Sequence, residues 1–64
     1  MTGPAALREW MARERLSHRE AARRLGVSHP TIRHWLQGRY RPEPVHAYRL
    51  SRRAGVPVSA WEQR

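Results

Sequence analysis

The residues from Ser28 to Gln37 combine polar side chains whose chemistry suits recognition rather than reaction. The groups concerned are a hydroxyl, two imidazoles, a guanidinium and an amide, at Ser28, His29, His34, Arg33 and Gln37. Such groups exchange hydrogen bonds with the exposed edges of bases in duplex nucleic acid. Arginine also presents a planar fork of donors that matches a phosphate or a guanine edge. This stretch is therefore our first candidate for a surface that reads base sequence.

Charge is the most informative property of the whole chain. The 64 residues include thirteen arginines, no lysine and five glutamates, which gives a net charge of +8. An excess of this size raises self-repulsion in a compact protein and favours an anionic partner. We rank nucleic acid ahead of an acidic membrane surface or an acidic protein. Codon bias explains arginine without lysine equally well, so that preference alone indicates no function.

The sequence offers little to catalysis or to a metal ion. It has no cysteine, no aspartate and no glycine-rich loop that would cradle a phosphate. His29 and His34 lie about 140° apart around a helix, so they do not form the usual pair of metal ligands. We predict that the protein is not an enzyme and uses no metal, cofactor or evident small-molecule ligand. The N-terminus lacks the apolar run of a signal peptide and no segment is long enough to cross a bilayer, so we expect a cytoplasmic protein without a membrane partner.

Proline and glycine divide the chain into five short helical segments, and no alternating apolar pattern predicts a strand. The expected fold class is all-α, in a single domain over residues 1–64. The first helix is expected to begin near Thr2–Pro4, the fourth to run from Glu43 to Ala54, and a last turn to lie between Pro57 and Ser59. Outside the two central helices, the side chains expected in the core are Leu7, Trp10, Met11, Ala47, Leu50, Ala54, Val56, Val58 and Trp61.

The two central helices are joined by a tight turn. The second helix opens with Ser17-His18-Arg19-Glu20, a capping box in which hydroxyl and carboxylate satisfy each other's backbone amides. It ends at Gly26, and Gly26-Val27-Ser28 leads into a third helix from His29 to Gln37, which Gly38 stops. Two short helices with such a turn are a helix-turn-helix unit, here residues 17–37. Their predicted buried stripes are Ala21, Ala22 and Leu25, and Ile32, Trp35 and Leu36.

Two sets of residues admit a structural and a functional interpretation. Three tryptophans could stack on unpaired bases, but their places on apolar stripes favour core packing; they are Trp10, Trp35 and Trp61. The arginines of the first and fourth helices are interpreted as a solvated face, with long-range attraction to nucleic acid as the alternative. These are Arg8, Arg13, Arg15, Arg49, Arg52 and Arg53. Arg33 is different, because it projects from the predicted reading helix.

From Leu7 to Trp61 the sequence resembles the phage repressor and Cro family, also called the XRE-type family. The continuous stretch from Leu16 to Gly38 carries the resemblance, together with Arg41-Pro42 and the ending from Ala54 to Trp61. The resemblance implies a five-helix, lambda-repressor-like fold whose third helix enters the major groove of double-stranded DNA.

The resemblance also implies roles for individual residues. Base reading falls to Ser28, His29, Pro30, Arg33 and His34. We add Gln37 in support, because it lies on the polar face of the predicted third helix. Backbone contacts fall to His18, Arg39, Tyr40 and Arg41, with loop packing as an equal alternative for Tyr40. The sequence departs from the family at His29-Pro30, where many members carry glutamine. Proline has no N–H to offer a base, so we expect Arg33 and His34 to read most of the sequence.

These expectations favour a sequence-specific transcriptional regulator, and among regulators a repressor that occludes a promoter. The alternatives are a small antitoxin or recombination accessory protein that uses the same DNA contact, and an RNA-binding protein. Only three residues follow Trp61, which leaves little room for a toxin-binding segment. One module covers a half-site, so we expect a homodimer on a pseudo-palindromic operator, formed from chains that are monomeric when free.

Overall fold

Four α-helices and a short 3₁₀ helix follow one another along residues 1–62, the part of the chain that this computed structural model describes. The helices are α1 (Gly3–Glu14), α2 (His18–Leu25), α3 (His29–Leu36), α4 (Pro44–Arg53) and the 3₁₀ helix Val58–Glu62. No strand occurs within those residues, which confirms the predicted all-α class. The predicted α3 was one residue too long at its C-terminal end, where Gln37 is the cap. The predicted α4 was one residue too long at each end, where Glu43 and Ala54 are the caps.

The helix ends follow the capping signals in the sequence. Ser17 accepts a hydrogen bond from the Glu20 amide at 3.1 Å, and the Glu20 carboxylate accepts one from the Ser17 amide at 2.8 Å. The backbone hydrogen bond from Ser17, then that from its hydroxyl, lowers the pKa of Glu20. Gly26 ends α2 in the left-handed conformation with φ 69°, which glycine adopts without a Cβ penalty. The predicted capping box and turn are confirmed.

The core is formed by one apolar stripe from each helix. All three tryptophans are buried, and the rings of Trp35 and Trp61 lie 6.3 Å apart. Core packing, rather than base stacking, is therefore the correct interpretation of these residues. The buried side chains are Leu7, Trp10, Met11, Ala21, Ala22, Leu25, Ile32, Trp35, Leu36, Ala47, Leu50, Ala54, Val56, Ala60 and Trp61.

One predicted core residue is on the surface. Val58 is 43% exposed, whereas Ala60, two residues further along the chain, is buried. Val58 begins the 3₁₀ helix and borders an open depression beside Pro42, Pro44 and Ala47. The apolar side of the last turn is thus made by Ala60 and Trp61, and the prediction for Val58 was wrong.

The N-terminus of α1 lies directly against the last turn. Gly3 is buried, and a Cβ atom built at this position would overlap the indole ring of Trp61. Glycine here allows the backbone of α1 to approach the indole closely, which brings the two ends of the described chain together. A close backbone approach is a use of glycine that a helical pattern does not reveal.

Three arginines tie the helices together from outside the core. Arg49 donates to the Leu25 carbonyl at 3.1 Å, Arg53 donates to the Arg24 carbonyl at 2.8 Å, and Arg8 donates to the Leu36 carbonyl at 3.1 Å. These carbonyls lie in the last turns of α2 and α3, where the helix dipole favours a positive charge. Arg8 and Arg53 are exposed and Arg49 is partly buried, so the predicted solvated face holds for the first two. The sequence did not reveal that each of the three arginines also donates to a carbonyl at the end of another helix.

Candidate nucleic-acid interface

The exposed side of α3 is mostly polar because the large apolar residues of the helix are turned into the core. Ile32, Trp35 and Leu36 are buried, whereas Arg33 and Gln37 are exposed. Five residues line a shallow surface depression of about 210 Å³ along this side: Pro30, Arg33, His34, Gln37 and Arg39. We call it the α3 depression. It unites four of the predicted base readers with one predicted backbone contact.

The beginnings of α2 and α3 lie side by side. The imidazole rings of His18 and His29, the first residues of the two helices, are 5.9 Å apart. A predicted phosphate contact and a predicted base reader are thus neighbours, as the turn between the helices requires. Both side chains are exposed.

The Ser28 hydroxyl caps α3, which limits its availability for a base contact. Its Oγ accepts a hydrogen bond from the Thr31 amide at 3.3 Å and lies 2.7 Å from the Thr31 Oγ1. The hydroxyl therefore caps α3, as the sequence predicts for this position. A base contact from Ser28 would have to coexist with the cap or replace it.

His34 is held by an aromatic neighbour. Its ring packs edge-on against the ring of Tyr40, with centroids 4.9 Å apart. Nδ1 of His34 is buried and has no hydrogen-bond partner among residues 1–62, which leaves Nε2 as the nitrogen available to an external partner. The Tyr40 side chain remains 61% exposed. Tyr40 therefore packs on a candidate base reader while most of its surface still faces solvent.

The loop after α3 divides the predicted backbone contacts into two groups. Arg39 lines the α3 depression, but Tyr40 and Arg41 line a separate depression of about 340 Å³. That second depression is bordered by Thr2 and Pro4 at the beginning of α1 and by Trp61. The structure thus does not gather all ten candidate residues into one site, and the loop spans two adjoining surfaces.

A third depression, of about 230 Å³, lies where α1, α2 and α3 meet. It is lined by Arg8, His18, Arg33, Leu36 and Gln37, and we call it the junction depression. Arg33 and Gln37 border both this depression and the α3 depression. Sequence analysis missed Arg8, since nothing in the pattern of α1 shows that its side chain reaches the end of α3.

Negative charge is absent from the lining of both depressions on α3. Glu9 and Glu14 face Arg13 and Arg24 at 3.3 and 3.5 Å, and Glu20 belongs to the capping box of α2. No carboxylate therefore lines either depression beside the arginines of this surface. Such a surface attracts an anion as extended as a phosphodiester backbone.

Comparison with known proteins gives one family. A family model described as a helix-turn-helix domain matches residues 5–61. No curated protein matches the chain, and no solved structure matches it. None of the helices in residues 1–62 has the length and apolar character needed to cross a membrane. The same residues contain no group of three or more histidine and acidic side chains that could hold a metal ion.

Proposed function

This chain belongs to the helix-turn-helix domain family, and from that premise we propose that it binds double-stranded DNA with sequence specificity and regulates transcription. The observation that carries the proposal is the exposed side of α3, which is polar, cationic and free of carboxylates in its lining. An α-helix fits the major groove, where each base pair presents a distinct pattern of donors and acceptors. We propose that α3 lies in that groove.

In this arrangement Arg33 and His34 read most of the bases. Arg33 is exposed and its side chain lines the α3 depression, so its guanidinium fork is available for the O6 and N7 atoms of a guanine. The Nε2 atom of His34 is presented by the ring that Tyr40 supports. Support comes from the remaining polar or exposed residues of the segment, which are Ser28, His29, Pro30 and Gln37.

We assign the DNA backbone to residues that flank α3. His18 stands beside the first residue of α3, and Arg39 borders the α3 depression at the other end. Tyr40 and Arg41 extend this surface towards the beginning of α1. Contacts of this kind fix the register of the protein on the duplex, and base contacts fix the sequence.

We further propose that two copies act together, as in the phage repressor and Cro type of helix-turn-helix protein. One α3 covers a half-site, and two copies would bind a pseudo-palindromic operator with half-sites about 34 Å apart. Occlusion of a promoter would make the protein a repressor, acting in the cytoplasm on the nucleoid. The function is binding without catalysis.

The experiment that tests DNA recognition is selection of bound duplexes from a random pool, followed by titration of the selected duplex at several salt concentrations. If about six phosphates are neutralised, the slope of log affinity against log salt is expected near −5. Duplex RNA and single-stranded DNA serve as comparisons. Failure to enrich any duplex sequence, or a slope shallower than about −2, would refute the proposed function. Preference for RNA would favour the RNA-binding alternative.

The pairing of two copies has its own test. Analytical ultracentrifugation of the free protein at micromolar concentration is expected to show monomers. Titration of duplexes with one and two half-sites is then expected to show cooperative binding, because DNA raises the effective concentration of the second copy. A stable dimer without DNA, or equal affinity per half-site on both duplexes, would contradict DNA-assisted pairing but leave DNA recognition in place.

A further inference from the structure

We propose that the junction depression is a binding site for one DNA phosphate, and that Arg8 of α1 is its principal ligand. This inference rests on the proposed function and extends the interface beyond the helix-turn-helix unit to the first helix. The ligand is the pair of unesterified oxygens of a phosphodiester at the edge of the groove that α3 occupies. The residues that would surround it are Arg8, His18, Arg33 and Gln37.

The guanidinium of Arg8 already has one hydrogen-bond partner within the fold, although the residue is exposed. Its Nη2 atom donates to the Leu36 carbonyl at 3.1 Å, across 28 residues of sequence, in a part-buried hydrogen bond. A guanidinium has five N–H donors in a rigid fork, so this bond leaves several for a second partner. A side chain held in this way loses less rotamer freedom on binding than one that is free in solvent.

The charge of Arg8 is not neutralised by a carboxylate in the described part of the chain. Its sequence neighbour Glu9 pairs with Arg13 at 3.3 Å, and the other ion pair found there joins Arg24 to Glu14. Within residues 1–62 the Arg8 guanidinium donates to the backbone carbonyl of Leu36 and pairs with no carboxylate. A full positive charge beside a hydrogen-bonded acceptor and an open depression is the arrangement that a phosphate complements.

The other groups around the depression are suited to the same anion. The imidazole of His18 and the amide of Gln37 both supply N–H donors, and the positive charge of Arg33, whose donors we assign to a base, lies at the same border. Leu36 contributes its carbonyl, which holds Arg8, and the wall behind it. The volume of about 230 Å³ is far above the roughly 10–15 Å³ of such space that one water needs, so several waters or a solvated phosphate oxygen pair fit.

The competing interpretation is that Arg8 only caps the C-terminus of α3. A cap stabilises the helix but adds nothing to the number of counterions released when DNA binds. The two roles therefore differ in the salt dependence of binding, which counts neutralised phosphates, and not in thermal stability alone.

The test compares the wild-type chain with Arg8→Gln and with a matched control, Arg13→Gln, which removes one arginine charge from the same helix. On the selected duplex in 0.15 M salt, Arg8→Gln is expected to weaken binding about fivefold and to make the salt slope shallower by about 0.9. Because the phosphate is the same at every base pair, the affinity of Arg8→Gln for mismatched duplexes should fall by the same factor. Arg13→Gln is expected to keep the wild-type slope.

A second measurement locates the phosphate. Single uncharged methylphosphonate linkages are placed one at a time along each strand of the selected half-site. At the linkage that Arg8 contacts, the wild-type chain is expected to lose about fivefold in affinity, while Arg8→Gln loses clearly less there. Arg8→Lys keeps the charge without the fork and serves in the same scan if Arg8→Gln does not fold; it is expected to lose less at that linkage than the wild-type chain.

The proposal is overturned if Arg8→Gln keeps the wild-type salt slope, or if every linkage that matters to the wild-type chain matters equally to the Arg8 variants. A fall in melting temperature with an unchanged slope would assign Arg8 to capping alone. Failure of the proposed function is a different result, because the wild-type chain itself would then bind no duplex with a steep salt dependence.

Discussion

Replacement of Gly26 by alanine tests how the turn between α2 and α3 is held. Gly26 has φ 69°, and a Cβ built there would lie 3.0 Å from Nη1 of Arg49, the atom that donates to the Leu25 carbonyl. The left-handed conformation costs alanine about 1–2 kcal/mol. The end of the Arg49 side chain must shift by a few tenths of an ångström, which weakens its hydrogen bond to the Leu25 carbonyl. We expect this to add about 1 kcal/mol, below the roughly 1.5–3 kcal/mol of a charged hydrogen bond, because the arginine is only part-buried.

Gly55→Ala is the matched control for this substitution. Gly55 has the same φ of 69°, but a Cβ there would meet nothing within 4 Å. We expect Gly55→Ala to lower the melting temperature by about 5–10 °C and Gly26→Ala to lower it by about 5 °C more, given 4–8 °C per kcal/mol in a domain of this size. Thermal unfolding followed by circular dichroism measures both variants.

The contribution of Arg49 is isolated by repeating both glycine substitutions in an Arg49→Met background. There the two alanine variants are expected to cost the same free energy of unfolding, because the hydrogen bond that distinguishes them is already gone. Equal costs in the wild-type background would refute the reasoning about Arg49. A negligible cost of Gly26→Ala would refute the left-handed turn itself.

Three further predictions follow from particular contacts. Arg33→Ala should cost about 1–3 kcal/mol on the selected site and relax preference at one or two base pairs, whereas Arg41→Ala should weaken all duplexes alike and make the salt slope shallower by about one; identical profiles across sequences would contradict the assigned roles. Gly3→Ala should destabilise the fold by about 1–3 kcal/mol through overlap with Trp61, against the usual helical preference for alanine, and a rise in melting temperature would contradict that packing. Because the pKa of Glu20 is lowered in the folded state, its stabilising effect should be present above its ordinary pKa of about 4.3 and be lost as pH falls through the lower folded value; melting curves of Glu20→Gln against pH should converge with those of the wild-type chain in acid.

The parts of the fold that depend on local signals could be predicted from the sequence. Serine at an N-cap and glycine after a helix act within one turn of chain, so Ser17 and Gly26 marked the ends of α2. The buried stripe of α3 likewise follows from helical spacing. The polar face of α3 was predicted as what remains once that stripe is buried. This reasoning needs no knowledge of how the helices pack.

Features that depend on tertiary approach could not be predicted. Arg8 and Leu36 are 28 residues apart, and Arg49 and Leu25 are 24 apart. Helical periodicity places such arginines on a solvated face, but their long stems reach the carbonyl end of another helix. The contact of Gly3 with Trp61 is equally non-local. Hydrophobicity alone put Val58 in the core, whereas its place at the beginning of the last turn leaves it exposed.

The net charge of the chain overstates the number of arginines that can neutralise DNA phosphates, because several arginines already have partners within the fold. Arg49 and Arg53 already donate to carbonyls of α2, and Arg13 and Arg24 face glutamates. If all thirteen arginines neutralised phosphates, the salt slope would approach about −12. The arginines that border the proposed interface are far fewer, namely Arg8, Arg33, Arg39 and Arg41, and the imidazole of His18 lies beside them.

A slope of log affinity against log salt near −5 would therefore mean that only some of the arginines neutralise phosphates. The remaining arginines stabilise the fold. Arg53→Gln, which removes a cap of α2 outside the depressions on α3, is expected to lower the melting temperature and leave the slope unchanged. Titrations of this variant on the selected duplex, at temperatures well below its unfolding, measure that slope. A wild-type slope approaching −12, or a shallower slope for Arg53→Gln, would show that arginines contribute to DNA binding wherever they lie on the surface. Either result would contradict a defined docking face.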